Sequence, residues 1–187
     1  MYEVAIIGGG PAGGSAAIFT AKAGKKTIVI DNGKSVTKRA LLNNHYGAPE
    51  IGGPDLMETG QKQARDHGAE IVHEEVTEAK KTESGFLLKT ENGEYEAKHI
   101  ILASGYGIEI GEKLGVNVIE GTEPRVTKIF EVNEQGQTNI ANVWACGLVA
   151  GVSVHTIITA GDGARVAINL LSEINGERYV DHDILKS

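Results

Sequence analysis

Apolar and polar positions along the chain fall into blocks whose period marks one element after another. Val4 to Ile7 is an unbroken apolar run of strand length, and the stretch from Pro11 to Ala23 carries small residues in a helical pattern, with Gly24 as its stop. A second apolar run, Thr27 to Ile30, closes on Asp31. After a polar connection from Asn32 to Lys38 and the segment RALLNNHYG from Arg39 to Gly47, Ile51-Gly52-Gly53-Pro54-Asp55-Leu56 reads as a helix start. That helix is expected to reach His67, where Gly68 ends it, and Ala69 to Glu74 follows as a third strand parallel to the first two.

The period then changes. Val76 to Thr82, Phe86 to Thr90 and Glu94 to Ala97 are short segments separated by Ser84-Gly85 and Asn92-Gly93, which predicts a small antiparallel meander inserted into the parallel sheet. Ile100 to Ala103 reads as a separate buried strand. Tyr106 to Asn142 is poor in long periodic segments, with a strand expected over Ile129 to Val132 and a turn at Gly136-Gln137. Val143 to Ala145 is a last short strand, and Thr156 to Leu171 has the apolar spacing of a helix that Asn175-Gly176 ends. Gly161 and Gly163 sit inside that helix at a cost of about 1 kcal/mol each against alanine, which points to close packing there.

The loop between the first strand and helix reads Gly8-Gly9-Gly10-Pro11-Ala12-Gly13, the G-x-G-x-x-G fingerprint of dinucleotide binding, in its required strand–turn–helix context. Gly8 permits the tight turn, Gly10 lets the backbone approach a pyrophosphate, and Gly13 lets the helix lie against the strands. Pro11 suits the first helical turn, whose free N–H groups and partial positive charge face a phosphate. Asp31 stands where a carboxylate accepts hydrogen bonds from a ribose diol, and its charge disfavours a 2′-phosphate, so NADP is disfavoured here while FAD and NAD both stay open. The expected fold class is α/β: a Rossmann-like, three-layer FAD/NAD(P)-binding domain.

The length of 187 residues suits one domain with a full core, and 41% hydrophobic with 23% charged residues is ordinary for a globular chain. A formal net charge of -7 leaves no basic footprint for nucleic acid or an anionic membrane. No apolar run reaches bilayer length and the first strand begins at Tyr2, so the expectation is a cytoplasmic protein without a signal peptide. Cys146 is the only cysteine, which removes intrachain disulfides and C-x-x-C redox chemistry. It is expected to be a small core residue rather than a working thiol. His67, His73, His99 and His182 show no metal-ligand spacing, so no metal is expected.

Taken together, GGGPAG, the acid after the second strand, the segment around Asn44 and Gly47, GGPDL, GAEIVHEEV, the hairpin, ILASG and finally NVWACG before a helix resemble the FAD domain of the thioredoxin reductase family. The resemblance covers nearly the whole chain. It implies a single FAD-binding domain in three segments: 1–105 as the Rossmann half with the meander, 106–142 as a connector where the family carries an NADPH domain, and 143–187 as the completing strand and helix. It implies cofactor contacts at Gly8, Gly10, Pro11, Ala12, Gly13, Asp31, Asn44, Val76, Ser104, Gly105, Gly147, Leu148, His155 and Thr156. Val76 would meet the adenine through its backbone, and His155 would lie by the flavin's pyrimidine edge as the sole candidate for proton transfer.

The chain departs from the family at two places. The second glycine fingerprint and the dithiol pair are absent, which excludes a true thioredoxin reductase. The last strand ends in Gly147-Leu148 where the family has Gly-Asp, so charge-assisted bonds to the ribityl chain, each worth about 1.5–3 kcal/mol, are lost. Two functions therefore compete: a single-domain FAD-dependent oxidoreductase reduced by free NAD(P)H or by a protein donor, and a non-catalytic nucleotide-binding or regulatory protein whose decayed site takes only NAD or ADP, or nothing. Relatives are homodimers, and a homodimer is expected here.

Overall fold

The computed structural model describes residues 1–185; positions 186–187, which close the last expected segment, lie outside the described residues. In chain order the elements are β1 (Tyr2–Ile7), α1 (Pro11–Lys22), β2 (Thr27–Ile30), β3 (Leu41–Leu42), β4 (Ile51–Gly52), α2 (Gly53–Asp66), β5 (Glu70–Val72), β6 (Glu78–Lys81), β7 (Phe86–Lys89), β8 (Glu94–Leu102), α3 (Glu109–Leu114), β9 (Val118–Glu120), β10 (Lys128–Phe130), β11 (Val143–Ala145) and α4 (Thr156–Asn175). Short 3-10 turns at Val36–Arg39 and Gly147–Ala150 interrupt the connections.

The parallel part of the main sheet runs β5-β2-β1-β8, with β11 parallel on the far side of β8. Val4 pairs with Thr27 and Ile7 with Ile30 across β1 and β2, while Ile7 faces Leu102 across β1 and β8. β8 does double duty. Its first residues pair antiparallel with β7, and its last residues pair with β1 and β11. The expected meander strand over Glu94 to Ala97 and the expected separate strand over Ile100 to Ala103 are therefore one strand of 9 residues. The meander is continuous with the parallel sheet because Lys98-His99, polar in sequence, simply continues the extended backbone between them.

Runs that read as uniformly apolar divide between two faces, as the period of a strand demands. Val4, Ile6, Val29, Ile101 and Trp144 pack on α1, α2 and α4 through Ala12, Ala16, Ala17, Ala64, Val166 and Leu170. Ala5, Ile7, Ile28, Ile100 and Leu102 pack on the opposite side with Ala79, Phe86 and Leu88 of the meander, and with Ile108, Val116 and Phe130. Helices on one face, sheet, and meander with α3 and the β9–β10 hairpin on the other make the three layers. The structured stretch between 106 and 142 is thus richer than its sequence suggested: α3 ends on Gly115 in a left-handed cap, and β9 pairs antiparallel with β10, which spans Lys128–Phe130 rather than Ile129 to Val132.

None of the described helices is long and apolar enough to cross a membrane.

Candidate nucleotide site

The carboxyl ends of β2, β1, β8 and β11 converge on a cleft of about 560 Å³, well within the size range of small-molecule sites. Its floor is the glycine turn. Gly8 has φ +107, and a Cβ there would collide with the carbonyl oxygen of Ala103, so only glycine lets β1 and β8 end side by side. A Cβ on Gly13 would collide in the same way with the carbonyl oxygen of Gly8, which brings the first turn of α1 directly beneath the loop. Pro11 opens α1, and the first helical bond runs from Gly14 N–H to the Gly10 carbonyl at 2.8 Å. The N–H groups of Ala12 and Gly13 are left at the helix start, beside the cleft, as donors for an anion.

Asp31 is 3% exposed and already busy. Its Oδ1 accepts from Gly9 N–H at 3.2 Å and Gly33 N–H at 3.1 Å, and its Oδ2 accepts from the Gln61 side chain at 3.1 Å. The same Gln61 amide donates to the Gly9 carbonyl at 3.2 Å. The carboxylate thus fastens the glycine turn to β2 and to α2, with little acceptor capacity left for a ribose. Gln61 carries no motif that marks it in the sequence. Its place on the helix is the signal: Gly53, Met57, Gln61 and Ala64 form the buried stripe of α2, and a lone amide inside an apolar stripe calls for a partner.

The loop after β2 forms one wall. Ser35 caps the 3-10 turn Val36–Arg39, and its hydroxyl stands 3.1 Å from where a Cβ on Gly10 would be. Lys34 reaches across to Glu75 at 2.7 Å and 2.9 Å, with Asn32 donating to the same carboxylate at 3.4 Å. The Lys34 ammonium, then the Asn32 amide, hold the Glu75 carboxyl below its usual range. Val76 follows, buried against the cleft.

At the other end, Ser104 and Gly105 line the cleft, and the Ser104 hydroxyl donates to the Gly107 carbonyl. Leu148 also lines it and is 5% exposed, packed with Val126 and Ile129. The β9–β10 hairpin therefore gives this leucine an apolar bed. Gly147 N–H donates to Asp162 Oδ2 at 2.7 Å, and Arg165 clamps Asp162 Oδ1 at 2.7 Å and 2.9 Å. Cys146 touches the cleft but is 1% exposed, and burial, then the Asp162 charge, push its thiol pKa well above the ordinary range.

The cleft brings together Gly8, Gly10, Pro11, Ala12, Asp31, Val76, Ser104, Gly105 and Leu148 from the sequence-derived set. Gly13 and Gly147 lie under it as packing positions. Asn44, His155 and Thr156 are off its lining. Asn44 is exposed in the loop after β3. His155 is exposed at the start of α4, with Nδ1 paired to the Ser153 hydroxyl at 2.7 Å, and Thr156 is buried with its hydroxyl 3.0 Å from His45 Nδ1. The loop holding Asn44 is thus drawn to the start of α4, outside the cleft. Among the described residues no group of His, Cys, Asp and Glu is arranged to hold a metal ion.

The model of the family described as "Pyridine nucleotide-disulphide oxidoreductase" matches residues 2–111 and 48–164. The chain belongs to that family. Similar curated proteins include thioredoxin reductases from Peptoclostridium litorale, 36% identical over 109 residues, and from Rickettsia prowazekii, 41% identical over 108 residues. These alignments cover 56% and 55% of this chain and 35% of each relative, so the matched part spans about a third of the length of those proteins. Among solved structures, the atypical thioredoxin reductase TRi from Desulfovibrio vulgaris Hildenborough superposes with a TM-score of 0.82 at 19% identity, covering 95% of this chain and 99% of that chain. A thioredoxin reductase from Gloeobacter violaceus gives 0.79 at 17% identity, over 98% and 99%. These likenesses show a shared fold.

Proposed function

We propose that this chain is a single-domain FAD-binding flavoprotein, an oxidoreductase related to thioredoxin reductase but working without a dithiol. The observation that carries the reading is the cleft running from the glycine turn and the α1 start, past Val76 and Ser104-Gly105, to Leu148. The groups present fit a dinucleotide at one end. Two free N–H groups at a helix start, a turn where any Cβ would collide with a neighbouring carbonyl, and the Ser35 hydroxyl suit a diphosphate. Val76 would border the adenosine.

Bound FAD would supply two-electron transfer, with free NAD(P)H or a protein as donor. The chain's own residues would bind and orient it. α1 would neutralise the phosphates, Asp31 and Gln61 would hold the turn rigid, and Leu148 would exclude water from the inner end. His155 points to Ser153 and lies off the cleft, so proton delivery by it would need a different rotamer. The protein is expected to act in the cytoplasm as a homodimer.

A second reading has its own observation. Leu148 is seated on Val126 and Ile129 and offers a ribityl chain no acceptor, which favours a non-catalytic nucleotide-binding protein that takes NAD or ADP alone. The absorption spectrum of the purified protein, with calorimetric titration of FAD, NAD and ADP, separates the two. A flavin band, or FAD binding at least about tenfold tighter than ADP, supports the flavoprotein; a colourless protein that binds ADP and FAD equally supports the second.

A further inference from the structure

We propose that the Lys34–Glu75 pair at the cleft rim decides whether a bound adenosine ribose may carry a 2′-phosphate, with Glu75 as the group that rejects it. This rests on the nucleotide reading above and replaces the sequence expectation that Asp31 makes the choice.

Asp31 is unsuited to it. Its oxygens are committed to Gly9, Gly33 and Gln61, and it is 3% exposed, so it meets a ligand as part of the floor. One residue further along, the chain rises to the rim. Asn32 and Lys34 both bond Glu75, which follows β5 on the neighbouring strand, and all three line the cleft. The rim thus holds one carboxylate and one ammonium at the end of the cleft where β2 and β5 finish, next to Val76. The side chains of Lys34 and Glu75 are 67% and 47% exposed, so the pair can open for an arriving ligand.

A ribose with a free 2′-hydroxyl leaves this pair intact or donates to Glu75. A 2′-phosphate needs the Lys34 ammonium, and to reach it must stand against the Glu75 carboxylate that already holds it. Like charges sharing one cation repel, and the ligand loses affinity. Removing the carboxylate while keeping its shape turns the same rim into a phosphate acceptor, because Lys34 is then unopposed.

The test is calorimetric titration of the whole chain with 5′-ADP and with adenosine 2′,5′-bisphosphate. Wild type is expected to prefer 5′-ADP. In Glu75→Gln the ratio of the two affinities is expected to move by about tenfold toward the bisphosphate, and adding Lys34→Met to that variant should cancel the shift. A ratio unmoved by Glu75→Gln, in protein that binds 5′-ADP, overturns the assignment and leaves the nucleotide reading standing. So does a ratio that moves as far with Asp31→Asn. If wild type binds neither compound, the nucleotide reading falls, and this proposal with it.

Discussion

Leu148 shows how one side chain can be pulled between packing and ligand chemistry. It lines the cleft, yet it is buried on Val126 and Ile129 of the β9–β10 hairpin. Leu148→Asp would put a carboxylate into that apolar contact, and we expect it to lose about 2–4 kcal/mol of stability in urea unfolding. If FAD is the ligand, a ribityl chain offers the new carboxylate hydrogen bonds, so saturating FAD should recover part of the loss and FAD should bind the variant more tightly than wild type. Cys146 gives a second residue-scale expectation. With its thiol buried and its pKa pushed far up, it should resist iodoacetamide in the native protein at pH 8 and react fully in guanidinium, as intact-mass measurement would report. The packing role read from sequence agrees with this burial.

At the scale of the element, α4 separates the two glycines that the sequence treated alike. A Cβ on Gly163 would run into the Ala12 carbonyl where α4 crosses α1, so Gly163→Ala should destabilise by about 1–3 kcal/mol. Gly161 faces open space, and Gly161→Ala should stabilise by about 1 kcal/mol through helix propensity alone. Thermal or urea unfolding of the pair checks both signs together. Helix spacing announced a close contact somewhere on this helix. Which glycine makes it depends on the crossing with α1, and that is not written in either helix alone. β8 teaches a related point: its two halves read as separate strands because Lys98-His99 is polar, whereas the extended backbone runs straight through with pairing that changes partner midway.

For the whole molecule, pH is the informative variable. Burial, reinforced by Lys98, holds the His99 imidazole below its ordinary value of 6.5, and its Nδ1 has no hydrogen-bond partner among the described residues. A histidine depressed in the folded state is protonated first in the unfolded chain. Stability present above pH 6.5 is therefore lost as the pH falls below that value toward the folded pKa. His99→Gln should flatten that part of the stability profile measured by urea unfolding across the acid range.

The amino-acid sequence by itself determined the βαβ start, the strand over Thr27–Ile30, the helices from Pro11, Gly53 and Thr156, and the glycine turn, because strand and helix periods and the stereochemistry of glycine and proline act over a few neighbouring residues. Tertiary structure decided what those parts do to one another. It engaged Asp31 with Gly9, Gly33 and Gln61, brought Lys34 to Glu75, seated Leu148 on the hairpin, and left Asn44, His155 and Thr156 off the cleft lining. Apart from the local Asp31–Gly33 bond, these contacts join groups far apart along the chain, where no local period carries information, and only the packing of the sheet's two faces fixes the distances between them.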